Sequence, residues 1–518
     1  MQVGVASGWR WLRRGTSQHS RYDVTPGRFV PAGGQIEWAG LLFVATASVV
    51  LFGGVEVRHL APLELLLFVL AGLAALRRWQ LGVSVFWVHQ AARPLLAIAA
   101  LGAFQLIPLP AWLTYTVSPG LAGLHADLPG AKPAFVPLSV YPYATRLAVL
   151  QLAGYCAFLV LALDALSSPR RIRTALRWAA VMGTIVAGYG LFNYLAGSEQ
   201  LLWLPRRFDH RSVTGTYVNR NNFAPLMLLL IPALVACYHA NDKREHEGHR
   251  QSQDNAGRAG FYVICGGLMA VALLFSRSRG GILAGIITLC AMLTLTRRSA
   301  HRPDRSPGIF PFGLVAIVLF WGLYIGIDRV TVRFGELFEA GGSAAYRPAV
   351  WLDTLPLVAD FPIFGSGLGT YPHVFPVYKT SPVPFWFDHA HNDYLEALAD
   401  GGVLGMALVI WGIVWFWLHV GKVKADRVHR RARMVVWLLA AGVGGALLHS
   451  LVDFGLQIPG NVFCALLLGA VAIRVTEYPG LVGRGAHCSE ATCPPPGMTG
   501  ATGLAGSTEA AQNSPACE

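Results

Sequence analysis

Residues 222–240 read NFAPLMLLLIPALVACYHA, nineteen positions without an Asp, Glu, Lys or Arg. A helix rises about 1.5 Å per residue, so this stretch matches the roughly 30 Å of hydrocarbon in a bilayer. Working outward from it, comparable blocks cover 36–53, 60–76, 94–108, 144–166, 176–196, 260–275, 280–296, 310–327, 400–420, 434–450 and 458–474. None alternates polar and apolar residues as a barrel strand does, and an open sheet could not satisfy its backbone in lipid. The expected fold is all-α, a polytopic membrane protein with about 12 transmembrane helices, of which spans three, seven and eleven are short. Composition agrees: 54% of the 518 residues are hydrophobic and 13% charged, about half the charge of a soluble domain. An ordinary cytosolic enzyme, a disordered chain and a small disulfide scaffold are excluded.

Five arginines precede the first span, namely Arg10, Arg13, Arg14, Arg21 and Arg28, with no cleavage pattern among them. The positive-inside rule then places segment 1–35 in the cytoplasm, with the first span as its own insertion signal. Twelve alternating crossings put 28 of the 41 Lys and Arg on the inner side, including Arg77, Arg78, Arg171, Arg177, Arg258 and Arg474. The net charge of +13 is thus explained by topology, without a nucleic-acid partner. Cys156, Cys237, Cys265, Cys290 and Cys464 fall in spans, and Cys488, Cys493 and Cys517 in the tail, so no structural disulfide is expected. Cys488 and Cys493 have no second pair nearby to complete a metal-ligand set. The chain divides into a cytoplasmic segment 1–35, a transmembrane domain 36–475, and a tail 476–518, rich in Gly, Ala, Ser, Thr and Pro, that reads as disordered and cytoplasmic. Long outer loops cover 109–143 and 328–399.

The arginines on the wrong side are the informative ones, because translocating them is disfavoured. Three groups lie there: Arg206, Arg207, Arg211 and Arg220; Arg277 and Arg279 in the tight turn Ser276-Arg277-Ser278-Arg279-Gly280-Gly281; and Arg329, Arg333 and Arg347. Such side chains can anchor helix ends at lipid head groups. They can also present several planar donor forks at one depth to an anionic ligand, and a lipid-linked pyrophosphate fits that description.

A second constellation is Asp388-His389-Ala390-His391-Asn392-Asp393-Tyr394-Leu395-Glu396, just before Gly401-Gly402. Asp393 and Glu396 have capping-box spacing, which puts both histidines at a helix start. An imidazole there can take a proton from an attacking hydroxyl. The pair can equally be a hydrogen-bonded surface feature, or a His-x-His metal site with Asp388 or Asp393. Asp453 can orient an arginine or a histidine, or cap its own turn. Asn219, Asn221 and Asn222 can bind sugar or phosphate, or close the loop into span six. Arg347 and Trp351 stand one helical turn apart, as a phosphate and sugar face or as plain packing. Glu64, within span two, reads as a proton path or as a satisfied polar group.

Taken together these stretches resemble the O-antigen ligase and polymerase superfamily of bacterial membrane glycosyltransferases. The resemblance rests on Gln105-Leu106-Ile107-Pro108-Leu109-Pro110, Pro137-Leu138-Ser139 with Pro142-Tyr143-Ala144-Thr145, Asn219-Arg220-Asn221, Ser276 to Gly280, Arg347 with Trp351, His389-Ala390-His391-Asn392, His449 to Asp453, and Gln457-Ile458-Pro459. It spans about residues 36–474. It implies a GT-C-like architecture whose periplasmic loop carries short helices. It also implies a metal-independent, inverting glycosyltransferase without cofactor, in the bacterial inner membrane, with both termini cytoplasmic and its site facing the periplasm. The donor implied is an undecaprenyl-pyrophosphate-linked glycan. The acceptor is a growing polysaccharide, a lipid A–core sugar or, in a third branch, a protein hydroxyl. Arg220, Arg277, Arg279 and Arg347 map onto the pyrophosphate-binding arginines. His391, with His389, maps onto the catalytic histidine, and Asn219, Asn392 and Asp453 are supporting residues. A transporter or flippase of lipid-linked glycan would share the basic outer face, but transporters carry internal repeats and none is visible here. A scaffold would leave the misplaced arginines without a role.

Overall fold

Apolar runs bounded by caps and prolines set the helices. In the computed structural model, which describes residues 34–82, 84, 88–126, 130, 133–206, 211–241, 252–299, 346–382, 386–424 and 429–482, the chain begins with α1 (Gln35–Val50), α2 (Val57–Gln80) and α3 (Arg93–Gln105). The segment that follows holds α4 (Ala111–Val117) and α5 (Pro119–Ala126), and the two-residue strands β1 (Leu109–Pro110) and β2 (Phe135–Val136), which pair antiparallel. Next come α6 (Pro142–Ala165) and α7 (Pro169–Leu195), then the short antiparallel pair β3 (Gln200–Leu201) and β4 (Leu204–Pro205). They are followed by α8 (Arg220–Ala240), α9 (Ser252–Phe275), α10 (Arg279–Ser299), α11 (Tyr346–Asp360) and α12 (Tyr371–Tyr378). The series closes with α13 (Asp393–Val420), α14 (Arg430–His449) and α15 (Pro459–Glu477).

Nine of the described helices are long and apolar enough to cross a membrane, and α1 adds a shorter apolar one. With α3, they supply a counterpart to eleven of the twelve expected spans. The twelfth, 310–327, lies outside the described residues, as do residues 1–33, the tail from 483 onward, Arg207, Arg329 and Arg333. Spans seven and eleven are longer than their apolar cores suggested. The helical backbone runs on into polar residues at 252–259 and 430–433, because hydrogen bonding along a helix does not stop where hydrophobicity does.

The larger correction concerns span ten. Rather than entering at Gly401-Gly402, the helix starts at Asp393, and the glycines mark a break inside it: Gly402 has φ 63° and ψ −166°. A Cβ there would overlap the Ile363 carbonyl. The freed backbone groups are taken up by the loop after α11, with Val403 N–H donating to Pro362 O (2.9 Å) and Leu404 N–H to Ile363 O (3.2 Å).

α8 is the innermost helix, buried from Asn222 to Cys237 and packed between α7, α14 and α15. At one end of the bundle, Arg77 bonds Glu37 (3.1 Å) and Asp164 (2.9 Å), Arg78 bonds Asp164 (3.1 Å), and Glu477 bonds His89 (2.8 Å) and Arg474 (3.1 Å). At the other end, where the 24-residue α6 starts, a second core forms a cap from Leu121, Val136, Val350, Leu357, Phe361, Tyr371, Val374 and Phe375. The described parts of segments 109–143 and 346–399 therefore fold together, and their short helices α4, α5, α11 and α12 roof the bundle at the end that carries the candidate site.

Candidate active site

The segment His389-Ala390-His391-Asn392 is held on every side. Asn392 Oδ1 caps α13, accepting from Tyr394 N–H and Leu395 N–H, both at 3.1 Å. Asp393 N–H donates to Ser450 O (2.9 Å), and Trp351 Nε1–H donates to Ala390 O (2.9 Å). Glu396 does not close a capping box with Asp393. It reaches back instead, Oε2 accepting from Ala390 N–H (2.9 Å) and Oε1 meeting His389 Nδ1 (2.8 Å). So braced, His391 is kept at φ 52°, in the left-handed region. A non-glycine residue stays there only where its surroundings over-determine it.

The two histidines have different partners. His391 Nδ1 meets Asp453 Oδ1 at 3.2 Å, and Arg347 Nη2 donates to Asp453 Oδ2 at 2.7 Å. Asp453 is 1% exposed. Burial opposes its ionisation, but the Arg347 guanidinium and His391 prevail and hold the carboxyl well below the usual carboxylate range. When neutral His391 donates its Nδ1 proton to this anion, Nε2 carries the lone pair, which is the tautomer a base requires. His389 is different. Burial would lower its pKa, but the Glu396 carboxylate outweighs that and raises it, while its ring stacks on Phe454 (4.4 Å, 25°). His389 is thus a partnered brace, and the imidazoles are directed at separate carboxylates rather than converging as metal ligands would.

The arginine turn joins α9 to α10. Ser276 Oγ donates to Leu273 O (2.6 Å), Ser278 Oγ accepts from Gly281 N–H (3.3 Å), and Arg277 between them has φ 53°. Its outer wall is the α14–α15 connection: Ser278 Oγ and His449 Nε2 are 3.5 Å apart, and a Cβ on Gly280 would lie 2.6 Å from Val452 Cγ2. Only glycine lets the turn approach so closely. The same connection ties down α13 and α8. Leu456 N–H donates to Asp393 Oδ2 (2.9 Å), and Asn461 Nδ2 donates to both Asn222 O (3.0 Å) and Gly455 O (3.1 Å). Val213 N–H, in the turns and bends that lead into α8, donates to Phe275 O at the end of α9 (2.9 Å).

Residues 449–461 are therefore the hub. They gather the first turn of α8 with Arg220, the turn with Arg277 and Arg279, Arg347 from α11, and both histidines at one end of the bundle. Asn219 closes the loop into α8: its Oδ1 accepts from Asn221 N–H (2.8 Å) and, like that of Asn392, caps a helix. Arg206 is buried and donates to Ser212 O (2.6 Å), so it braces its loop instead of presenting a fork. Trp351 is likewise partnered by the Ala390 carbonyl. Two contributors escaped the sequence reading: Glu396 as the holder of His389, and His449 as the contact between the arginine turn and the segment that carries Asp453. His449 acts across the fold, 171 positions from Ser278, whereas Glu396 lies only seven positions from His389 and its spacing to Asp393 pointed to a helix cap instead.

Residues 264–410 match the family described as O-antigen ligase. The matched stretch runs from α9 into α13 and contains Arg277, Arg279, Arg347, His389, His391 and Asn392. Long apolar helices surrounding this segment make the chain a membrane protein of the all-α, polytopic kind. The protein thus carries an O-antigen ligase domain at residues 264–410, which supports the likeness to the O-antigen ligase-like superfamily, whose members are glycosyltransferase-like ligases and polymerases.

Proposed function

We propose that this protein transfers a glycan from an undecaprenyl-pyrophosphate donor to an acceptor hydroxyl at the periplasmic face of a bacterial inner membrane. The observation that carries the reading is the single buried carboxylate of Asp453, one oxygen on His391 and the other on Arg347. It supports reading His391 as a base and Arg347 as a phosphate-binding fork joined through one carboxylate.

In this reading His391 Nε2 takes the proton of the acceptor hydroxyl as its oxygen attacks the anomeric carbon. The bond from that carbon to the pyrophosphate breaks, and its electron pair leaves on the phosphate oxygen. Arg220, Arg277, Arg279 and Arg347 hold the charge that develops there, and Asp453 stabilises the imidazolium that forms. A single displacement inverts the anomeric centre. Undecaprenyl pyrophosphate departs, and the proton leaves His391 for solvent. General-base assistance of this kind is worth roughly 10²–10⁴ in rate.

The test uses purified protein in proteoliposomes with a lipid-linked oligosaccharide donor and candidate acceptors. We expect His391→Ala to lose at least about a hundredfold in transfer while donor binding is kept. A variant that still transfers at the wild-type rate rejects His391 as the base. The same assay identifies which acceptor, lipid A–core, polysaccharide or protein, becomes glycosylated.

A further inference from the structure

Two aromatic rings flank the His391 imidazole. Phe454 (5.0 Å between centroids, 67°) comes from the hub that abuts the arginine turn, whereas Phe387 (6.4 Å, 84°) comes from the cap. Phe387 is fixed by an edge contact with Phe375 of the cap core (6.2 Å, 89°). Over its face lies a cation: Lys379 Nζ is 5.5 Å from the ring centroid.

The placement of Lys379 is built rather than incidental. Tyr378, before it, donates to Asp360 Oδ2 (2.8 Å). After it, Thr380 Oγ1 donates to Asp353 Oδ1 (2.6 Å) and Ser381 N–H to Asp353 Oδ2 (3.0 Å). Burial of Asp353 opposes its charge, but these bonds outweigh that and hold its carboxyl below the usual range. Two carboxylates of α11 thus pin both neighbours of one lysine. With the diphosphate assigned to the hub side, the cap side is the approach left for the second substrate.

We propose that Lys379 and Phe387 form the acceptor subsite, and that the acceptor is a sugar bearing an anionic group, phosphate or carboxylate. Its ring rests against Phe387, its anion faces the Lys379 ammonium, and its hydroxyl is delivered to His391 Nε2. This inference rests on His391 being the base.

The probe is a phosphorylated core oligosaccharide, compared with the same oligosaccharide after phosphatase treatment. Each is titrated by calorimetry into the full chain in phosphatidylcholine nanodiscs. The wild type should bind the phosphorylated form about tenfold more tightly, in line with a charge-assisted contact. Lys379→Met should abolish that difference and Lys379→Arg should keep it, which separates lost charge from lost folding. His391→Ala should bind like the wild type, so failure of the base assignment shows in transfer and failure of the subsite shows in binding. No preference in the wild type, or a preference that survives in Lys379→Met, overturns the proposal. So does a preference erased merely by phosphatidylglycerol in the disc, which would assign Lys379 to lipid head groups.

Discussion

Three side chains set the chemistry by the partners they keep. The Asp453 carboxylate stays ionised because Arg347 and His391 share it, and through it the proposed base and a guanidinium are tied together. Arg279, which opens α10, tests the fork half of the account: Arg279→Lys keeps the charge but loses the planar donor pair. We expect kcat/KM for the lipid-linked donor to fall at least about tenfold in the reconstituted transfer assay, and full activity would count against a phosphate fork there. His389 and Glu396 test the brace half. Because the His389 pKa is raised, its contribution to stability is complete below the unfolded value near 6.5 and is lost as pH rises through the folded one. Thermal unfolding followed from pH 6 to pH 9 should therefore show the wild type losing ground that Glu396→Gln never had. Parallel pH curves for the two proteins would remove the ion pair from the account. None of these pairings was legible as a pairing. The residue types and the positively charged turn stood out in the sequence, but His391 and Asp453 are 62 positions apart, and Arg347 and Asp453 are 106 apart, so only the fold could join them.

Among the elements, α13 carries the most consequence. Its first turn is capped by Asn392 and its run is broken at Gly402, so the histidine segment is positioned by a short rigid helical piece rather than by the membrane span beyond. Gly402→Ala would impose a Cβ on a backbone geometry that is essentially reserved for glycine, and on the Ile363 carbonyl besides. We expect a loss of about 1–3 kcal/mol, seen as a lower melting temperature in detergent, together with a fall in kcat because the His391 segment shifts. Unchanged stability would mean the break is not required. The helices themselves were readable because long apolar runs leave a membrane chain few alternatives. Their ends were not, since α9 and α14 continue helically through polar residues. The Gly401-Gly402 pair was visible as a discontinuity, but whether it began a helix or broke one depended on the loop after α11, which supplies the carbonyls that stitch the break.

For the molecule as a whole, the fold sorts arginines into two populations. Arg77, Arg78 and Arg474 are paired with acids at one end, while at the other Arg347 is paired with Asp453 in the hub and Arg220, Arg277 and Arg279 stand on segments that the hub ties down, beneath a cap built from segments 109–143 and 346–399. That separation was legible from the alternation of spans and charge. The cap's joint core was not, because Leu121 and Val136 lie far in sequence from Val350 and Phe375, and nothing local announces that they meet. The central claim is that exported guanidinium groups hold a diphosphate while His391 primes an alcohol beside them, which requires both to face the same compartment and the same ligand. The most direct measurement labels Arg279→Cys and His391→Cys, each in a background lacking the native cysteines, with a membrane-impermeant maleimide applied to vesicles of either orientation. Both positions should react from the periplasmic side alone, and lipid-linked donor should protect Arg279→Cys. Reaction of the two from opposite sides of the membrane would contradict the account.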